Sequence, residues 1–251
     1  MRNFAMNKIR IAACLLVILG AGCGDPDKNA LTAGASPVLP PIAGASPLGT
    51  ACNFGILAGT PVVSSVGLTK IIGGDVGISP AASITGFPPG TTTGAFHAGD
   101  ATAATAQGDL TTAYNNAAGA AGGAILIADI GGQTLAPGVY KTTSAQPSLG
   151  ITGNLTLDGP ATGVWIFQIV STVTTASGNS QVILTGGALS KNVFWQVGSS
   201  ATLGTNTTFA GNIMALASIT LNTGATLNGR ALARNGAVTL DNNTVNVPTC
   251  P

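Results

Sequence analysis

The feature that most restricts the fold is a repeat. Ser200-Ala201-Thr202-Leu203-Gly204-Thr205-Asn206-Thr207-Thr208-Phe209 aligns with Ser218-Ile219-Thr220-Leu221-Asn222-Thr223-Gly224-Ala225-Thr226-Leu227 at an offset of 18 residues. A third copy starts at Ala237-Val238-Thr239-Leu240 and runs through Asp241-Asn242-Asn243-Thr244-Val245. Short apolar segments at 213–216 and 231–233 lie between the copies, and 164–169 and 193–197 read as longer versions of the same strand. Short β-branched strands punctuated by Gly and Asn, at a period of about 20 residues, predict a mainly β fold: a three-faced β-solenoid. Val, Ile, Leu and Phe turn inward, Thr, Ser and Asn turn outward, and each strand hydrogen-bonds to the coils above and below. Residues 53–98 read as the first coils, with strands at 56–58, 62–63 and 71–72 and turns at 73–78 and 87–90.

One stretch breaks the pattern. Ala103, Ala106, Leu110, Ala113, Tyr114 and Ala117 recur at steps of three and four, which is the helical period. Asp100 stands where an N-cap belongs, so a helix over about 100–118 is predicted. Its apolar stripe is built of small residues and suits close packing along one solenoid face.

Charge narrows the function. Only 7% of the chain is charged, against roughly a quarter in ordinary soluble domains. All eight acidic residues are Asp, and His97 is the only histidine. Nothing here could neutralise a run of phosphates, which argues against a nucleic-acid partner. Acid–base catalysis needs converging titratable groups, and these carboxylates are scattered. Arg230, Arg234 and Asp241 form the only close charged set, read as a surface pairing. No enzyme activity, cofactor or metal site is therefore expected.

The N-terminus reads as an address. Arg2, Lys8 and Arg10 flank and precede the apolar run 11–19, and the small residues Gly20-Ala21-Gly22 lead to Cys23. This describes a signal peptide over 1–22. Leu19-Gly20-Ala21-Gly22-Cys23 resembles a bacterial lipobox, which implies lipidation of Cys23 and a place in the cell envelope; plain secretion is the other reading. Residues 23–50 read as a flexible tether, since Ala33-Gly34-Ala35-Ser36-Pro37 recurs as Ala43-Gly44-Ala45-Ser46-Pro47. The folded domain is expected over 51–251. Cys52 and Cys250 lie at its two ends, and export to an oxidising compartment favours a disulfide between them.

Several motifs resemble the microbial ice-binding protein family. They are Asn53-Phe54-Gly55-Ile56-Leu57-Ala58-Gly59, Gly74-Asp75-Val76-Gly77-Ile78-Ser79-Pro80, Ile84-Thr85-Gly86-Phe87, Leu135-Ala136-Pro137-Gly138-Val139-Tyr140, Gly163-Val164-Trp165-Ile166-Phe167-Gln168 and Asn192-Val193-Phe194-Trp195-Gln196-Val197. The resemblance implies a right-handed, three-faced solenoid with a long helix alongside, and an ice crystal surface as partner of one flat face. It also implies a Thr-Ala/Gly-x-Thr/Asn pattern on that face. Thr223-Gly224-Ala225-Thr226 fits it, Thr205-Asn206-Thr207-Thr208 nearly so, and Ser177-Gly178-Asn179-Ser180 and Asp241-Asn242-Asn243-Thr244 more loosely. The expected face is thus Ser177, Ser180, Thr205, Thr208, Thr223, Thr226 and Thr244, with Thr60 and Thr69 extending it. Residues i and i+3 of a straight strand point to opposite sides. Either the chain bends within the motif, or only one Thr of each pair faces outward. The expected protein is a monomer that meets a membrane only through its lipid. A cell-surface adhesin or scaffold without ice activity is the rival reading.

Overall fold

The computed structural model describes residues 30–31, 46–64 and 67–250. The proposed signal peptide, Cys23 and most of the tether lie outside these. Parallel strands wind into a solenoid with three faces. Face 1 stacks Gly138–Lys141, Trp165–Ile169 and Val193–Val197, then the second halves of Thr208–Ala215 and Thr226–Ala233. Face 2 stacks Leu149–Ile151, Val173–Thr175, Ala201–Leu203, Ile219–Leu221 and Val238–Leu240. Face 3 stacks Thr134–Leu135, Asn154–Asp158 and Gln181–Thr185, then the first halves of the two long strands and Thr244–Asn246.

Residues 53–98 are not the first coils of this stack. Phe54–Ala58 pairs with Thr226–Ala233, Val62–Ser64 with Val238–Leu240, and Lys70–Ile72 with Thr244–Asn246. The strands of 54–72 therefore sit beyond the C-terminal coil, whereas Ala30–Leu31, within the segment expected to be a tether, pairs with Thr134–Leu135 at the other end of face 3. Asp75–Ile78, part of the segment expected to turn, is itself a strand on face 1. The helix makes this order possible. Ala101–Ala118 has 18 residues, a length of about 27 Å, close to six inter-strand spacings. It carries the chain back along face 1 to the far end, from which the remaining coils climb.

The six helix positions predicted from the period are the six that are buried. They pack on the outer side of face 1, against Leu57, Val139, Ile166, Phe194, Met214 and Leu232. Gln168 Nε2 donates to the carbonyls of Ala117, Ala118 and Ala120 and so closes the helix C-terminus. At the other end the Asp100 carboxylate accepts the Ala103 N–H at 2.8 Å and meets His97 Nδ1 at 2.7 Å. The Ala103 N–H first, and His97 second, hold the Asp100 carboxyl below the usual carboxylate range. A depressed carboxyl stabilises above its unfolded pKa, and that help is lost as pH falls through the folded value. The first helical turn is accordingly expected to fray in acid, read as lower amide protection factors at Ala103 and Ala104, and Asp100→Ala should show the same loss of protection at neutral pH.

Inside the solenoid, Tyr140, Phe167 and Trp195 stack in register on the inner side of face 1, with centroids 5.5 and 3.8 Å apart. The buried indole N–H groups are satisfied by carbonyls, Trp165 by Leu135 and Trp195 by Ala210. Cys52 and Cys250 form the disulfide, with Cα atoms 5.3 Å apart and a sequence separation of 198. Closing so long a loop contributes about 5 kcal/mol in the chain-entropy view. The packed part starts ahead of residue 51: Leu48 is buried in the helix cluster, and Asp109 accepts from the Thr50 N–H and hydroxyl, each at 2.7 Å.

Candidate functional site: two threonine arrays

The corner between faces 2 and 3 decides what faces outward. In each late coil one corner residue has positive φ: Asn206 at 57°, Gly224 at 72° and Asn242 at 52°. Asn tolerates this region, and Gly adopts it without penalty. At Gly224 a Cβ would also stand 2.4 Å from Asn206 Oδ1, so a larger residue there would have to push the Asn206 side chain aside. The bend answers the question left open by the motif. Its first and fourth residues, Thr205 and Thr208 or Thr223 and Thr226, both reach the surface, while the third, Thr207 or Ala225, turns into the core.

On face 3 the outward residues run in register as Asn154, Gln181, Thr208, Thr226, Thr244, Lys70 and Thr91. Thr208, Thr226 and Thr244 stand on three successive coils, and their hydroxyls have no hydrogen bond to another described residue. Two residues further on, Ala210, Asn228 and Asn246 form a parallel rank, and Asn246 Nδ2 donates to Asn228 Oδ1 at 2.9 Å. Ala210 is buried, so with Thr205 and Thr223 at the corner the patch spans three coils but is three ranks wide only on the two later ones. Its one ionic group is Asp241, which accepts the Thr223 hydroxyl.

Four expected members fall outside this patch. Thr69 is fully buried and its hydroxyl accepts the Asn243 N–H; Lys70, one residue on, holds the outward place. Ser180 is also buried, and accepts the Gly153 N–H. The cause is a corner one residue longer than its neighbour, for Val173 pairs with Ala201 but Gln181 with Thr208. Gly178 and Asn179, at φ 86° and 75°, absorb the extra residue. That leaves Gln181 in the column and Ser177 exposed at the corner. Thr60 is exposed but lies at the opposite corner, between faces 1 and 2, where its N–H reaches Gly236.

Face 2 carries a column absent from the expected site. Thr174, Thr202, Thr220 and Thr239 follow one another in register, with Gly150 before them and Thr85 further along the stack. The signal was present in Ala201-Thr202-Leu203, Ile219-Thr220-Leu221 and Val238-Thr239-Leu240, a Thr between two inward apolar residues. The neighbouring hydroxyls are already engaged: Thr172 donates to Ser148, and Ser200 and Ser218 accept backbone N–H groups of the next coils.

The charged groups do not gather into a reactive site. Arg230 is buried rather than surface-paired. It donates to the carbonyls of Cys52 and Pro248 and to Asn212 Oδ1, and burial pushes its pKa down to about 10. Arg234 lies 4.7 Å over the Tyr114 ring, and Asp241 sits at the remote corner. Among the described residues, ion pairs are limited to His97 with Asp75 and Asp100, and no three His, Cys, Asp or Glu side chains gather as metal ligands would.

Stacked coils, one helix along one face and neutral Thr columns on the open faces define a solenoid that presents hydroxyl arrays. The ice-binding-like family model matches residues 56–246, and the chain belongs to that family. An ice-binding protein of Nostoc sp. strain HG1 is 50% identical over 204 residues, covering 80% of this chain and 73% of the relative. The crystal structure of the ice-binding protein of the Antarctic ascomycete Antarctomyces psychrotrophicus superposes with a TM-score of 0.75 at 45% identity, covering 81% of this chain and 98% of that one. An ice-binding protein from an Antarctic biological consortium gives a TM-score of 0.75 at 49% identity, over 83% of this chain and 95% of that one.

Proposed function

We propose that this protein adsorbs to ice through face 3, with Thr208, Thr226 and Thr244 at the centre of the contact. The observation that carries this reading is their direct pairing on successive coils. Parallel strands hold neighbouring coils about 4.8 Å apart, and alternate residues on a strand about 6.6 Å apart. A neutral patch on that grid offers hydroxyls and methyls at repeats close to those of frozen water. The branched Cβ of Thr restricts χ1, so little freedom is lost on contact. Adsorbed molecules obstruct further crystal growth or recrystallisation, or hold a cell to ice.

The protein is taken to be exported by the segment 1–22 and held in the bacterial envelope by a lipid on Cys23. The segment behind that anchor then sets the solenoid off from the membrane, and the domain acts as a monomer. Mature chain freezing slowly into a polycrystalline ice shell is expected to enter the ice, whereas an inert protein is left in the liquid. Retention in the liquid would overturn the proposal. Face 2 supports a second reading, because its Thr column is one coil longer. Thr220→Tyr separates the two: if face 3 makes the contact, this variant still partitions into ice, and if face 2 does, partitioning is lost.

A further inference from the structure

We propose that Lys70 is the boundary residue of the ice contact on face 3, and that it holds the contact to three threonines. The inference rests on the reading that face 3 meets ice. Lys70 pairs directly with Thr244 on one side and Thr91 on the other. Without it, Thr208, Thr226, Thr244 and Thr91 would lie in one file across the seam where the N-terminal strands stack on the last coil. The side chain is exposed and has no hydrogen-bond or ion-pair partner among the described residues. No carboxylate draws it aside, since the described ion pairs are those of His97.

An ammonium on a flexible four-carbon stem is strongly hydrated. Between Thr244 and Thr91, and flanked along its own strand by the exposed Leu68 and Ile72, it projects beyond the threonine methyl groups and keeps its water in an arrangement that a crystal lattice cannot continue. Ice seated on Thr208, Thr226 and Thr244 must therefore stop at Lys70, and Thr91 beyond it contributes nothing. The opposite edge is closed less firmly, by the neutral Gln181. The structure thus assigns Lys70 the role of limiting how much of the column is used.

The test combines two positions. Lys70→Thr lengthens the file from three threonines to five, and thermal hysteresis at equal concentration should rise about twofold, in line with the area removed from liquid water. Lys70→Arg keeps the charge and should match wild type. Thr91→Tyr should be silent in the wild-type background but erase the gain in the Lys70→Thr background. The proposal fails if folded Lys70→Thr shows no gain, or if Thr91→Tyr already lowers hysteresis in wild type. The second result can be read even if Lys70→Thr does not fold. Wild-type protein that stays out of ice would instead refute the parent reading, so the two failures are distinguishable.

Discussion

Thr226→Tyr is expected to leave the folded protein intact and to remove most of its ice activity. Thr226 is the middle of the three central threonines, with Thr208 and Thr244 as its direct partners. A phenol ring there stands above both neighbours, so ice seated on it touches neither. The loss should be about tenfold or more in thermal hysteresis, as for the central anchor of a contact patch. The side chain points outward from a strand and Tyr is a good strand residue. Stability should therefore change by no more than about 0.5 kcal/mol. A Tyr variant with unchanged melting and unchanged hysteresis would place the contact on another face.

The second large effect concerns stability. Arg230→Ala is expected to cost about 2–4 kcal/mol, from the lost hydrogen bonds of a charged donor and the cavity left behind, less the relief of no longer burying an unpaired charge. Arg230 is fully buried and its guanidinium is shared between Asn212 and the carbonyls of Cys52 and Pro248. Removing it leaves three acceptors without donors and opens a cavity beneath the Cys52–Cys250 disulfide. Arg230→Met restores most of the volume but not the donors, so it should recover only the packing part of the loss. Chemical denaturation of both variants measures the two parts. A loss below about 1 kcal/mol for Arg230→Ala would mean that water or the loosened C-terminus satisfies the acceptors.

Much of this architecture can be read from residue spacing. The 18-residue repeat, the stripe from Ala103 to Ala117, the Asp100 cap and the terminal disulfide all follow from local pattern or chain position. The stacking order does not. Short parallel strands of similar composition carry no address, and Val62–Ser64 would pair with many partners. Only the return along the helix fixes its place after Val238–Leu240.

The site was legible where corners have equal length and obscure where they do not. Thr205, Thr208, Thr223 and Thr226 share one corner geometry, and all four reach the surface. One extra residue before Gln181 was enough to bury Ser180, because a single step along a strand reverses inside and outside. Thr69 fails for the same reason, with Lys70 taking the outward place. Arg230 could not be placed from sequence, because two of its partners, Cys52 and Pro248, lie 178 and 18 residues away.

The stacking order also bears on how the molecule is made. Synthesis delivers residues 54–98 early, yet the strands they join, Thr226–Ala233, Val238–Leu240 and Thr244–Asn246, come last. The early segment must wait, its edges open, until nearly the whole polypeptide exists. Contacts so distant in sequence make assembly slow. Loss of the last strand, Thr244–Asn246, would leave Lys70–Ile72 without its neighbour and open the same seam.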